Sequence, residues 1–223
     1  SNAMYKEGAC LYRNPLRSKS DVKDWRMEGG GQISFDDHSL HLSHVQDEAH
    51  FVFWCPETFP DGIIVTWDFS PIEQPGLCML FFAAAGIRGE DLFDPSLRKR
   101  TGTYPEYHSG DINALHLSYF RRKYAEERAF RTCNLRKSRG FHLAAMGADP
   151  LPSPDDADSP YRMKLIKDKG YVHFSINGLP ILEWMDDGST YGPVLTKGKI
   201  GFRQMAPMKA VYRDFAVHQA VRR

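Results

Sequence analysis

The stretch Gly110 to Arg122, GDINALHLSYFRR, carries imidazole, hydroxyl, phenol and guanidinium groups within one alternating run. A strand of period two places Leu115 and Leu117 on one face with Asn113, Tyr119 and Arg121. It places Ala114, His116, Ser118, Phe120 and Arg122 on the other. A half-buried strand ordinarily gives its outward face to bland polar groups. This one presents a base, a hydroxyl and a cation in register, which is how a sheet offers a ligand site. Asn113 and Tyr119 join the candidate binding residues only if a bulge re-aims the core-side set toward the site; otherwise they anchor the sheet edge and its loops.

Other residues supply compatible chemistry. In GIIVTWDF, Gly62 to Phe69, Ile63, Val65, Trp67 and Phe69 share a face, leaving Thr66 and Asp68 on the other. A mid-strand carboxylate needs an arginine partner or a ligand. GFHLAAM, Gly140 to Met146, puts His142 outward, within reach of His116, and GKIGFRQM, Gly198 to Met205, places Arg203 opposite Ile200 and Phe202. The histidines His38, His41, His44 and His50 do not converge on a strand, so solvated imidazoles are the expectation and no metal or other cofactor is assigned.

The elements that must hold these residues are strands. HFVFW, GIIVTWDF and LCMLFFAAA are strong strands, the last apolar on both faces and therefore central. YVHFSINGLPILEW is a hairpin on an Asn177-Gly178 turn, the strongest short hairpin signal. Residues 86–109, rich in Tyr104, Tyr107, Glu90, Asp91 and Asp94, form a long connection expected as an ordered wall beside the site. From Arg121 to Arg139 eight basic side chains stand against two acidic ones, a balance of +6; the segment reads as a basic loop with a short helix in YAEERAF, solvated or turned to an anionic ligand.

Over the whole chain 29 basic residues balance 28 acidic ones, leaving +1 and no electrostatic case for a nucleic-acid or membrane partner. No segment approaches the roughly 20 consecutive apolar residues of a membrane span, and no signal-like core follows Met4, so cytoplasmic residence is expected. Ser1 to Ala3 look like a cloning scar, and residues 4–223 are expected to form one domain. The four cysteines lack metal-type spacing and are expected as reduced thiols. Oligomeric state is not legible.

YVHFSINGLPILEW, GPVLTKGKIGFRQM and YRDFAVHQ resemble the closing strands of concanavalin A-like lectin/glucanase jelly rolls. WDFSPIEQPGLCMLFFAAAG, GEDLFD, GDINALHLSYFRR and NLRKSRGFHLAAMGADPL resemble the uncharacterised YesU-like family within that superfamily. The resemblance implies an all-β sandwich of two antiparallel sheets with an oligosaccharide site on the concave one, and an association with pectic material. Glucanases of this fold set two carboxylates on one strand, about 5 to 5.5 Å or roughly 6.5 to 9.5 Å apart. No E-x-D-x-x-E run occurs here, so a glycoside hydrolase would recruit a second acid from Glu90, Asp91 or Glu106 to join Asp68. A set of His116, His142, Arg122, Arg203, Ser118, Thr66 and Asp68 on one face suits a uronate better. By likeness to jelly-roll polysaccharide lyases, His116 or His142 is the expected base, Arg122 or Arg203 neutralises the carboxylate, and Tyr107 is the acid. A non-catalytic lectin-like role is the alternative.

Overall fold

Alternation of apolar and polar residues becomes strand almost throughout the computed structural model, which describes residues 3–158 and 160–223. Ser1 and Asn2 of the apparent cloning scar lie outside the described residues. The strands are β1 (Tyr5–Asn14), β2 (Arg26–Gly29), β3 (Gly31–Asp36), β4 (Ser39–His44), β5 (Phe51–Trp54), β6 (Ile63–Glu73), β7 (Gly76–Gly86), β8 (Ile112–Arg122), β9 (Thr132–Ser138), β10 (His142–Ala148), β11 (Tyr161–Asp168), β12 (Tyr171–Ile176), β13 (Leu179–Met185), β14 (Lys199–Met205) and β15 (Lys209–Arg222). Two short helices, α1 (Pro105–His108) and α2 (Ala125–Ala129), flank β8.

The strands form two antiparallel sheets. One has seven strands in the order β10-β9-β8-β7-β14-β5-β2, and the other has eight, β13-β12-β11-β6-β15-β4-β3 with β1 added beside β15. The architecture is the jelly-roll sandwich expected from the sequence. Between the sheets lies the main core, in which Trp67 from the eight-stranded sheet meets Tyr119 edge-on at 5.6 Å and Phe202 at 6.0 Å from the seven-stranded one. Each large side chain buried there contributes roughly 1.5–3 kcal/mol.

The doubly apolar β7 occupies the centre of the seven-stranded sheet. One face (Cys78, Leu80, Phe82) packs into the core. The other (Leu77, Met79, Phe81) packs with Val52 and Trp54 beneath a second apolar cluster brought down by Leu92 and Tyr107 of the connection 87–111. This connection is the ordered wall expected from its composition. Its acids are engaged: Glu106 accepts from the Thr101 and Thr103 amides at 2.8 and 3.0 Å, Glu90 from the Arg88 amide at 2.7 Å, and Asp91 from the Phe93 amide at 2.8 Å and from Thr58 Oγ1 at 3.0 Å while pairing with Lys199 at 3.3 Å.

A bulge decides what β8 shows to each side. Ser118 pairs with Met79 and Phe120 with Cys78, so Tyr119 is an extra residue and the alternation slips by one. Beyond it Arg121 stands opposite Leu77 on the outer face, while Arg122 turns inward.

Candidate functional site

The outer face of the seven-stranded sheet presents its side chains in rows set by register. One row runs Trp54, Gly201, Phe81, His116, Arg136, Leu143; the next runs Val52, Arg203, Met79, Ser118, Asn134, Met146. Gly201 belongs in the first row because a Cβ there would lie 2.6 Å from the Trp54 ring. The connection 87–111 covers the Trp54 end. Toward β9 and β10 the face opens onto partly exposed Arg121 and Arg136, with Leu143 and Met146 exposed at the rim.

His116 is fully buried, and its Nε2 shares a 2.8 Å hydrogen bond with the hydroxyl of Tyr104. Burial, reinforced by the charges of Arg136 and Arg203, pushes the imidazole down to about 3, so it is neutral near pH 7. Burial also pushes the Tyr104 phenol up to about 12, against the pull of the same two arginines. Tyr104 sits edge-on to His108 at 4.7 Å and to Phe141 at 5.6 Å, and the Arg136 guanidinium lies over the Phe141 ring at 3.7 Å. Arg136 donates to the Phe141 carbonyl at 3.1 Å and forms no ion pair among the described residues.

One row beyond Ser118, opposite Leu77, Arg121 donates to Thr132 Oγ1 at 2.7 Å and pairs with Glu127 at 3.1 Å, and Thr132 bonds Asn134 at 3.1 Å. At the covered end Glu28 is held on both oxygens by Arg100 Nε and Nη2, at 3.0 and 2.9 Å, and also accepts from Trp54 Nε1 and the Tyr107 hydroxyl. That carboxylate is fully committed. Among the described residues no cluster of three or more His, Cys, Asp or Glu side chains offers a metal centre.

The structure brings His116, Ser118 and Arg203 onto one face and separates the other sequence-derived candidates from it. Thr66 and Asp68 lie on β6 of the eight-stranded sheet, and Asp68 pairs with Arg162 at 3.2 Å, the arginine partner that a mid-strand acid requires. Arg122 is sealed inside, donating to Asp149 at 2.8 Å and to the Leu151 carbonyl at 2.7 Å, because the bulge reversed its direction. Tyr119 remains in the core, edge-on to Phe69 at 5.0 Å. Asn113 accepts from the Arg139 amide at 3.1 Å and anchors the end of β8. His142 pairs across β9 with Lys137, whose side chain turns to the other face, and stacks on Tyr191 at 4.6 Å, so it does not approach His116. Tyr107 is fully buried, with its hydroxyl between Glu28 and the Gly102 amide, out of reach of a substrate.

Asn134 and Arg136 are members of this face that the sequence did not single out, and Tyr104, expected only as part of the wall, bonds His116 directly. Residues 132–138 read as basic loop, yet Cys133 and Leu135 alternate with Thr132, Asn134 and Arg136, which is the signal of a half-buried strand.

Residues 9–217 match the family model described as Domain of unknown function (DUF1961). The chain belongs to this family. Solved structures similar to this DUF1961 chain share its fold at low identity. The carbohydrate recognition domain of Emp47p is 11% identical with a TM-score of 0.63, covering 99% of this chain and 100% of that one. The carbohydrate binding module CBM66 from Bacillus subtilis is 11% identical with a TM-score of 0.53, covering 87% and 94%. The Crh5 transglycosylase in complex with NAG is 8% identical with a TM-score of 0.62, covering 96% and 87%.

Proposed function

We propose that the outer face of the seven-stranded sheet binds an oligosaccharide carrying carboxylate groups. The observation that supports this reading is the arginine imbalance of the face: Arg136 and Arg203 make no ion pair among the described residues, and Arg121, one row beyond Ser118 and Asn134, adds a third guanidinium. Guanidinium forks match carboxylate geometry, and amide and hydroxyl groups between them suit sugar hydroxyls. Leu143 and Met146 offer apolar surface to a sugar face at the rim. The named structural relatives include a carbohydrate binding module and a carbohydrate recognition domain, in agreement with a saccharide ligand.

Hydrolysis by paired carboxylates finds no unpaired acid on this face among the described residues, since Glu28 is held by Arg100 and Glu127 by Arg121. A second reading, β-elimination, is favoured by the Tyr104–His116 contact beside Arg136. In that chemistry the C5 proton of a uronate passes to the Tyr104–His116 pair, the C–H electrons form the C4–C5 double bond, and the C4–O bond breaks with its oxygen taking the proton back from that pair. His116 held near 3 is a weak base, which places binding first.

Calorimetric titration with trigalacturonate against neutral galactotriose tests the first reading. Preference for the acidic ligand is the expected result, and equal or absent binding of both removes it. Ultraviolet absorbance of a new double bond during the same incubation reports elimination.

A further inference from the structure

We infer that the Nε/Nη2 edge of Arg203 is the socket for a ligand carboxylate, reached when the Tyr104 side chain rotates away from it. This inference rests on the acidic-saccharide reading above and names the atoms that receive the acid.

Arg203 projects from β14 onto the outer face and is completely buried. Its Nη1 donates to the Gly102 carbonyl at 2.7 Å, whereas Nε and Nη2 have no hydrogen-bond partner among the described residues. A guanidinium buried with part of its fork unsatisfied is costly, and the cost persists unless the site has a use for it. The free edge is the one suited to a carboxylate. In this same molecule Arg100 grips both oxygens of Glu28 with its own Nε and Nη2. Arg203 repeats the donor half of that arrangement without the acceptor half.

The neighbouring charges do not supply the missing anion. Glu28 belongs to Arg100, and Glu106 is taken by Thr101 and Thr103. His50 and His116 both have their basicity lowered, chiefly by burial and further by the Arg203 charge, so neither compensates it. What lies over the guanidinium is aromatic: Tyr104 at 5.1 Å and Tyr107 at 5.6 Å. Burial without an ion pair pushes Arg203 down to about 10, against only a weak opposing pull from Glu106, and an arriving carboxylate reverses that effect.

Of the two rings, Tyr107 is pinned by Glu28 and Gly102 and is fully buried. Tyr104 is partly exposed and its hydroxyl is held by His116. The backbone around it is fixed by Glu106, so opening is a side-chain rotation. Rotation uncovers Arg203 and frees His116 Nε2 beside it, and His116 Nδ1 is likewise without a partner. A uronate can then place its carboxylate on Arg203 and its ring over Met79 and Ser118, the next residues of the same row.

The test follows the arginine Nε–H resonances of the full chain by NMR while trigalacturonate is added, with galactotriose as the neutral control. The Arg203 signal is expected to shift in step with saturation by the acidic ligand alone. R203K, checked for folding by its amide spectrum, is expected to bind at least tenfold more weakly. Y104F, which removes the hydroxyl that holds the ring closed, is expected to bind several-fold more tightly because more of the population is open. If trigalacturonate binds while the Arg203 signal stays in place, the acid sits elsewhere, as on Arg136 or Arg121; the acidic-saccharide reading then stands and the socket is overturned. If neither the native chain nor Y104F binds any uronate, that reading fails and the socket with it. Should R203K fail to fold, the native Arg203 signal decides alone.

Discussion

His116 and Arg136 stand side by side in one row, yet their environments assign them different work. His116 is buried and held down to about 3, so as pH falls the unfolded chain takes up a proton near the ordinary 6.5 while the folded protein refuses it. The stability His116 contributes is therefore complete above about pH 6.5 and is lost as pH falls from there toward 3, with a slope of at most about 1.4 kcal/mol per pH unit. His44, pushed down to about 4 by burial, acts in the same direction. Replacing His116 by Gln is expected to flatten urea-unfolding free energy between pH 6 and 4; a profile parallel to that of the native chain would show that another group governs it. Arg136, half-exposed and without a carboxylate partner among the described residues, is the residue for which the acidic-saccharide proposal expects an effect on ligand binding instead. Arg136→Gln is expected to weaken trigalacturonate by about tenfold, the loss of one charge-assisted hydrogen bond, and to leave thermal stability within a few degrees. Calorimetry and a melting curve on the same sample separate the two effects.

Within β8, strict alternation is a sound guide from Leu115 to Ser118 and fails afterwards, because a bulge is fixed by tertiary packing and not by any residue type in SYFRR. Tyr119 and Phe120 both find aromatic partners in the core, near Phe69 at 5.0 and 6.1 Å, and burying both rings outweighs keeping the register. The consequence is an exchange of roles between neighbours. Arg121 reaches the outer face and a partly exposed pair with Glu127; Arg122 becomes a buried ion pair with Asp149, both side chains inaccessible. Arg122→Ala is expected to cost about 3–5 kcal/mol by leaving Asp149 alone in the interior, whereas Arg121→Ala costs under about 1 kcal/mol. Urea midpoints for the two variants give the comparison, and equal costs would contradict the inward turn of Arg122. The same limit applied to β9 and β10. In β9 the basic composition hid a clear alternation, and in β10 a register shift between Leu143 and Ala145 put Leu143 on the rim and left His142 on the far side.

At the scale of the whole molecule, period two shows which residues of a strand share a face but not which sheet the strand joins. The sandwich and its central β7 were therefore legible in the sequence, whereas Thr66 and Asp68 were drawn to the wrong sheet, because β6 pairs with β11 and β15 far along the chain. What binds the two sheets along that flank is a latch. Lys137, on the core side of β9, reaches the segment that follows β13 of the opposite sheet, donating to Asp186 at 2.6 Å and to the Gly192 and Pro193 carbonyls at 3.0 and 2.8 Å. Both partners are almost fully buried. Desolvating two charges nearly cancels their attraction, so the pair adds little net stability, but removing one partner strands the other charge. Lys137→Ala is thus expected to lose about 3–5 kcal/mol, and Lys137→Met combined with Asp186→Leu to recover most of it. The recovery has a structural cost that stability alone does not reveal. Asp186 also accepts from the Gly188 amide at 2.9 Å, and the loop it shapes carries Tyr191, on which His142 stacks. In the double variant that loop loses its anchor while the sheets stay joined by their apolar core, so hydrogen exchange should rise at residues 187–193 and remain slow in β7 and β8. If exchange rises in β8 as well, the latch holds the seven-stranded sheet itself in register, and on the proposed reading trigalacturonate affinity should fall with it.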